Sequence, residues 1–275
     1  GTDPDGDRLG VVIKDDKNNY LVLNGNQIGA LLIDYIIKGK VLHNNMPEIA
    51  CAIKSIVSGN LFDAICEKAN VHHQNVLTGF KYIGEKIEEF EKSKSHTFIF
   101  GYEESQGYLS GGYVRDKDAV AASLLITEAA SFYKSQGKTL YCVLQELYSE
   151  HGYYKEAVLN NIVSGIDPMS AMTDIMRSLR DCGLSVIGGV DVVAIRDYKS
   201  GIRKDLRTGQ SQPTGLPESD MLYYELADRS NLIIRPSGTE PKIKVYILTS
   251  AATERECDLL IEKYKNAFNQ IISKR

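Results

Sequence analysis

Three features of the sequence predict an α/β fold: a mixed-sheet α/β region followed by a smaller α+β region. Segments of helical period alternate with short apolar runs over the first half of the chain. A polar stretch bearing tyrosines and asparagines, 152–165, interrupts that alternation. Beyond it, apolar runs, a polar Gly/Pro-containing stretch and a closing amphipathic helix follow in a different order.

The elements justify this in turn. Residues 9–13 and 20–23 are apolar runs joined by the polar turn 14–19 and read as two strands. After 24–27, Ile28, Leu31, Leu32, Tyr35 and Ile36 recur at helical spacing. A strand is expected at 49–57 and a helix at 60–69 with Leu61, Ala64 and Ile65 inward. A further helix at 83–92 leads to the apolar strand 97–100, and helices at 118–136 and 140–151 complete the region. The next segments read as a helix at 168–182, a strand within 186–198 and a polar hairpin loop at 199–219. Strands 232–235 and 242–248 then flank a tight loop. The helix 253–272 places Cys257, Leu260, Ile261, Tyr264 and Phe268 on one face. Domain limits are expected at 1–23, 24–152 and 153–275.

The 275 residues suit about two domains and can bury a core without disulfide or metal support. Hydrophobic residues at 43% and charged residues at 25% are those of a soluble globular protein. A net charge of −4 with no strongly basic segment argues against a nucleic-acid partner and leaves an anionic small substrate open. Cys51, Cys66, Cys142, Cys182 and Cys257 are scattered, without metal-ligand spacing, and read as reduced thiols of a cytoplasmic protein. No apolar run approaches the ~20 residues a membrane helix needs. His72 and His73 read as surface residues. An acidic loop at residue 3 implies a longer parent protein. The oligomeric state is left open.

Three loops carry chemistry. In Asp3-Pro-Asp-Gly-Asp-Arg8, carboxylates at i, i+2 and i+4 suit a hard divalent cation. In an extended loop Asp3, Asp5 and Asp7 would share one side, with Gly6 permitting a bend. An EF-hand opens in the same way but requires Gly where Arg8 stands and Glu where Lys14 stands. Arg8 beside three aspartates suits a group that also meets an anion. The second loop, Gly101-Tyr-Glu-Glu-Ser105, follows the strand 97–100 and sets carboxylates and a hydroxyl where ligands of α/β sheets bind. The third, Arg235-Pro-Ser-Gly-Thr-Glu-Pro241, combines a guanidinium, two hydroxyls and backbone N–H groups around a glycine, a compact phosphate nest.

Together these motifs resemble, in order, the metal, sugar and phosphate loops of the α-D-phosphohexomutase family, and the resemblance covers nearly the whole chain. It implies that Asp3, Asp5 and Asp7 bind Mg²⁺ with a phosphoserine from an earlier domain, Arg8 supporting them. Glu103 and Ser105 would grip the hexose 3- and 4-hydroxyls. Glu104 between them resembles glucose-directed members. Thr78-Gly-Phe-Lys81 and Arg115-Asp-Lys-Asp118 resemble two further active-site stretches, with Lys81 and Lys117 as contacts. Arg235, Ser237, Gly238 and Thr239 would hold the non-reacting phosphate. The three domain ranges would be the end of the metal-binding domain, the sugar-binding domain and the phosphate-binding domain.

The implied reaction moves a phosphoryl group between O1 and O6 of glucose through glucose 1,6-bisphosphate. A mannose or pentose phosphate mutase, and a phosphosugar-binding segment without turnover, are the alternatives. The family's Thr-Ala-Ser-His-Asn-Pro-like serine loop occurs nowhere in these residues, so no catalytic nucleophile is expected among them.

Overall fold

The computed structural model describes residues 1–163, 167–238 and 240–273. They form two compact units, Gly1–Gly152 and Tyr153–Arg275.

The first unit opens with the antiparallel pair β1 (Val11–Lys14) and β2 (Tyr20–Leu23). Helix α1 (Gly25–Leu42) starts at a capping box, in which Asn24 and Gln27 each satisfy the other's backbone N–H. Strand β3 (Ala50–Ser55), helix α2 (Leu61–Lys68), strand β4 (His72–Val76), helix α3 (Phe80–Ser93), strand β5 (Thr97–Glu103) and strand β6 (Gly107–Leu109) follow. The sheet order is β4-β3-β5-β6, with β4 and β5 parallel to β3 and β6 antiparallel to β5. Every residue of β3 is buried, as a central parallel strand requires. Helices α4 (Ala119–Ser135) and α5 (Leu140–His151) are capped by Asp118 and Thr139.

Strand β4 lies where no strand was expected. His72-His73-Gln-Asn is polar, but parallel pairing to β3 from Cys51↔His72 to Ser55↔Val76 holds it in the sheet. Only His72 is fully exposed; His73 is half-buried between Asp63 and Glu67, which corrects its reading as a surface residue.

The second unit is built on β7 (Tyr153–Ile162), β8 (Val186–Ile187), β9 (Val190–Asp197), β10 (Ile202–Asp205), β11 (Ser211–Pro213), β12 (Leu222–Leu226), β13 (Asn231–Pro236) and β14 (Lys242–Ala251). They form one antiparallel sheet, β11-β10-β9-β12-β13-β14-β7, with β8 pairing β9. Helices α6 (Pro168–Cys182) and α7 (Glu254–Ser273) supply Met172, Met176, Leu179, Ile261, Tyr264 and Phe268 to a core with Leu232, Ile234, Val245 and Ile247. Strand β7 occupies most of the polar stretch 152–165. Ten consecutive backbone pairings with β14 override its Asn160-Asn161 pair, and Ala157 and Leu159 pack on the core. The polar stretch after β9 is the hairpin β10–β11, and the edge strand β11 is three exposed residues ending in Pro213, too short to template further pairing.

No helix among the described residues is long and apolar enough to cross a membrane.

Candidate active site

In the first unit the parallel strands deliver three segments to one end of the sheet. Ser55 ends β3 with Ser58 just beyond it, Gly79 follows β4, and Glu103 ends β5 with Glu104 and Ser105 beyond it. This is the carboxyl end, where parallel α/β sheets bind ligands.

Glu103 ends β5 at 9% exposure, and its Oε1 accepts the Gly79 N–H at 2.6 Å. Burial pushes its carboxyl above the ordinary glutamate range, against the Gly79 bond and the charges of Lys117 and Arg8. Glu104, half-buried, turns back toward β3, where Ser55 Oγ donates to its Oε2 at 3.0 Å. Ser105 is exposed at the tip, followed by Gln106 with φ of +68°.

The acidic loop rests on this same turn. Arg8 bridges Gly107, and the Leu9 N–H donates to the Gln106 carbonyl at 3.0 Å. The loop is a tight turn, not the extended segment expected from the sequence. Thr2 bridges Leu9, the Gly6 N–H donates to the Asp3 carbonyl at 3.0 Å, and Gly6 adopts φ of +70°. Asp3 Oδ1 accepts the N–H groups of Arg8 at 3.1 Å and Asp7 at 3.2 Å, and these bonds hold its carboxyl below the usual range. Asp7 Oδ2 meets Lys117 Nζ at 3.1 Å. No three His, Cys, Asp or Glu side chains form a ligand set among the described residues. The donor chemistry still suits a divalent cation, since Asp7 keeps a buried Oδ1 with no hydrogen-bond partner.

Lys117 is the hub of the cluster. Its side chain is 12% exposed, and its ammonium also meets Asp116 at 2.9 Å and lies 5.6 Å from the centre of the Phe80 ring. Burial opposes its charge, but the bonds to Asp116 and Asp7 outweigh that and hold it above the usual lysine range. Its methylenes cross Gly107, where a Cβ would lie 2.3 Å from Lys117 Cδ. Lys81 is exposed on the first turn of α3, its ammonium 4.7 Å from the centre of the Tyr82 ring.

The phosphate loop belongs to the second unit. Arg235 sits near the end of β13, where its Nε donates to Tyr246 Oη at 3.3 Å and its guanidinium lies over the Tyr246 ring. Register places Lys244 opposite Arg235, so two cations flank the loop on one face of the sheet. Ser237 is buried, and its N–H closes the turn on the Lys242 carbonyl at 2.8 Å. That amide is thus taken by the hairpin. Gly238 is exposed, and Thr239 lies outside the described residues. Lys242 pairs with Glu240.

A phosphoglucomutase/phosphomannomutase domain III, of alpha/beta/alpha type, matches residues 24–151. A phosphoglucomutase of Staphylococcus epidermidis is 36% identical over 97% of this chain and 47% of its own length. The chain belongs to the phosphoglucomutase/phosphomannomutase family. It spans about half the length of the curated relatives it matches. Among solved structures, the open form of pp63/parafusin from Paramecium, a phosphoglucomutase, superposes with a TM-score of 0.64 at 13% identity, over 99% of this chain and 44% of that one. The Aspergillus fumigatus N-acetylphosphoglucosamine mutase in complex with GlcNAc-6P and magnesium gives 0.53 at 14%, over 98% and 48%. At these identities the structural matches show the fold.

Sequence reasoning missed Ser55 and Ser58, and it placed Phe80 and Asp116 in active-site stretches without giving them a role. Two serines at the carboxyl end of a buried strand were a usable signal for the first pair. The partners of Lys117 depend on chain segments that meet only in the fold.

Proposed function

We propose that this chain supplies the sugar- and phosphate-binding machinery of a phosphoglucomutase, which interconverts glucose 1-phosphate and glucose 6-phosphate through glucose 1,6-bisphosphate. The observation that carries the reading is the cluster of Glu103, Lys117, Asp7 and Arg8 at the carboxyl end of the first unit's sheet. Buried carboxylate, paired ammonium and exposed hydroxyl in one place suit a polyhydroxylated anion. The name of the Staphylococcus epidermidis relative favours glucose over other hexoses.

In this reading Glu103 and Ser105 hydrogen-bond vicinal sugar hydroxyls, and Lys117, Lys81 and Arg8 face phosphoryl oxygens. The buried Glu103 carboxylate is a strong acceptor because little water competes for it. Lys117 exchanges its bonds to Asp116 and Asp7 for phosphate oxygens at small cost, because its charge is compensated in both states. Arg235 presents a planar fork to the phosphate that is not transferred, with Ser237, Gly238 and Thr239 beside it. Mg²⁺ held by Asp3, Asp5 and Asp7 would supply charge neutralisation at the transferring phosphoryl group. The 275 residues contain no serine loop of the family type, so no phosphoryl-carrying nucleophile is assigned among them.

Calorimetric titration with glucose 1-phosphate, then a mutase assay on the same sample, tests this. Weak, saturable binding without turnover is expected. Absence of binding, or conversion by rigorously purified chain, contradicts it.

A further inference from the structure

The Glu103–Ser105 turn is held from beneath by groups that touch no solvent-facing part of the site. Ser55 and Ser58 are fully buried, with hydroxyl oxygens 2.8 Å apart. Ser55 donates to Glu104 Oε2 at 3.0 Å, and Ser58 Oγ accepts the Glu104 N–H at 3.1 Å. Two hydroxyls therefore grip both the carboxylate and the backbone of one residue.

The Ser58 loop is itself pinned. Lys54 is 1% exposed, and its ammonium donates to the Ser58 carbonyl at 3.0 Å and to Asn60 Oδ1 at 2.9 Å, and pairs with Asp63 at 3.0 Å. A buried ammonium is tolerated only with such acceptors, so Lys54 commits the loop to one geometry. On the opposite side Gly25 packs so closely that a Cβ would lie 2.0 Å from the Glu104 carbonyl oxygen. The Tyr102 hydroxyl, 3.3 Å from Asn26 Oδ1 and 3.4 Å from the Gly59 carbonyl, closes the set.

We propose that Lys54, Ser55 and Ser58 are positioning residues acting through Glu104, and that they fix the turn presenting Glu103 and Ser105 to the sugar ring. Glu104 then shapes sugar preference by setting the turn, without contacting the sugar. This inference rests on the proposed sugar-binding role of the turn.

The test titrates wild type, Ser55→Ala/Ser58→Ala, Glu104→Ala and Glu104→Gln with glucose 1-phosphate and with inorganic phosphate, and measures amide exchange of residues 104–106. In the double variant the glucose 1-phosphate Kd should rise at least tenfold, the phosphate Kd should stay within twofold, and exchange at 104–106 should rise at least tenfold. Glu104→Ala should reproduce these losses. Glu104→Gln, which keeps an acceptor for Ser55, should recover most of the affinity. Equal losses for both ligands, or unchanged exchange at 104–106, overturn the positioning role. If wild type binds glucose 1-phosphate no better than phosphate, the proposed function fails and the exchange data alone decide the positioning. Should the double variant not fold, Ser55→Ala is read by the same criteria.

Discussion

Glu103 is a carboxylate held where its charge is least welcome, at the buried end of β5. Its pKa is raised in the fold, first by burial, so its contribution to stability is fully present below the unfolded glutamate pKa and is lost as pH rises through the higher folded value. Glu103→Gln keeps an acceptor for the Gly79 N–H and removes the charge. The variant should therefore gain stability relative to wild type at pH 7 and lose that advantage near pH 4, as read by urea denaturation at both pH values. An equal difference at the two pH values would show that burial of the charge is not the cause. The same change should weaken phosphosugar binding, a trade of stability for function. Gly25 shows the opposite constraint, because its backbone meets the Glu104 carbonyl directly. Gly25→Ala should cost about 1–3 kcal/mol by overpacking, measured by denaturant unfolding. A loss within 0.5 kcal/mol, roughly the effect of a surface change, would mean that the turn gives way easily.

At the scale of elements, the loops depend on the strands that end beside them. Arg235 and its neighbours lie on a single hairpin, β13 to β14, so their anion affinity is a local property. Arg235→Ala should cost ~1.5–3 kcal/mol of phosphate affinity, as for hydrogen bonds to a charged group. Lys242→Ala, whose ammonium is paired with Glu240, should cost far less. Amide-shift titrations of both variants check this, and the reverse order would move the phosphate contact away from Arg235. The elements that carry these loops were largely legible. The strand before Glu103, the helices α5 and α6 and the strands flanking Arg235 follow from apolar period and capping residues. Strands β4 and β7 were not legible, because His72-His73 and Asn160-Asn161 are polar and only pairing with β3 and β14 makes them strands. The acidic loop was legible as a carboxylate cluster but not in its geometry. Asp3 spends its side chain on the Asp7 and Arg8 amides, a choice fixed by the turn and invisible in residue spacing.

For the molecule as a whole, the chain divides into two compact units, each with a sheet and helices of its own. The core of the second unit draws only on residues after Gly152. Residues 153–275 expressed alone should therefore melt cooperatively and keep phosphate affinity through Arg235. Loss of a cooperative transition would show that this core needs the first unit. Three motifs in order make the family legible in the sequence alone, and the 36% identity to a phosphoglucomutase agrees with it. The partners of Lys117, the inward turn of Glu104 and the hairpin bond of Ser237 came only from the fold. The central claim, that the Glu103–Ser105 turn of the first unit binds the sugar of a phosphosugar, is tested most directly by mapping amide shifts during a glucose 1-phosphate titration. Saturable shifts at Glu103 and Ser105, and at Arg235, Ser237 and Gly238, are predicted, with Glu103 and Ser105 unmoved in inorganic phosphate. Shifts that leave Glu103 and Ser105 unmoved at saturation with glucose 1-phosphate would contradict it.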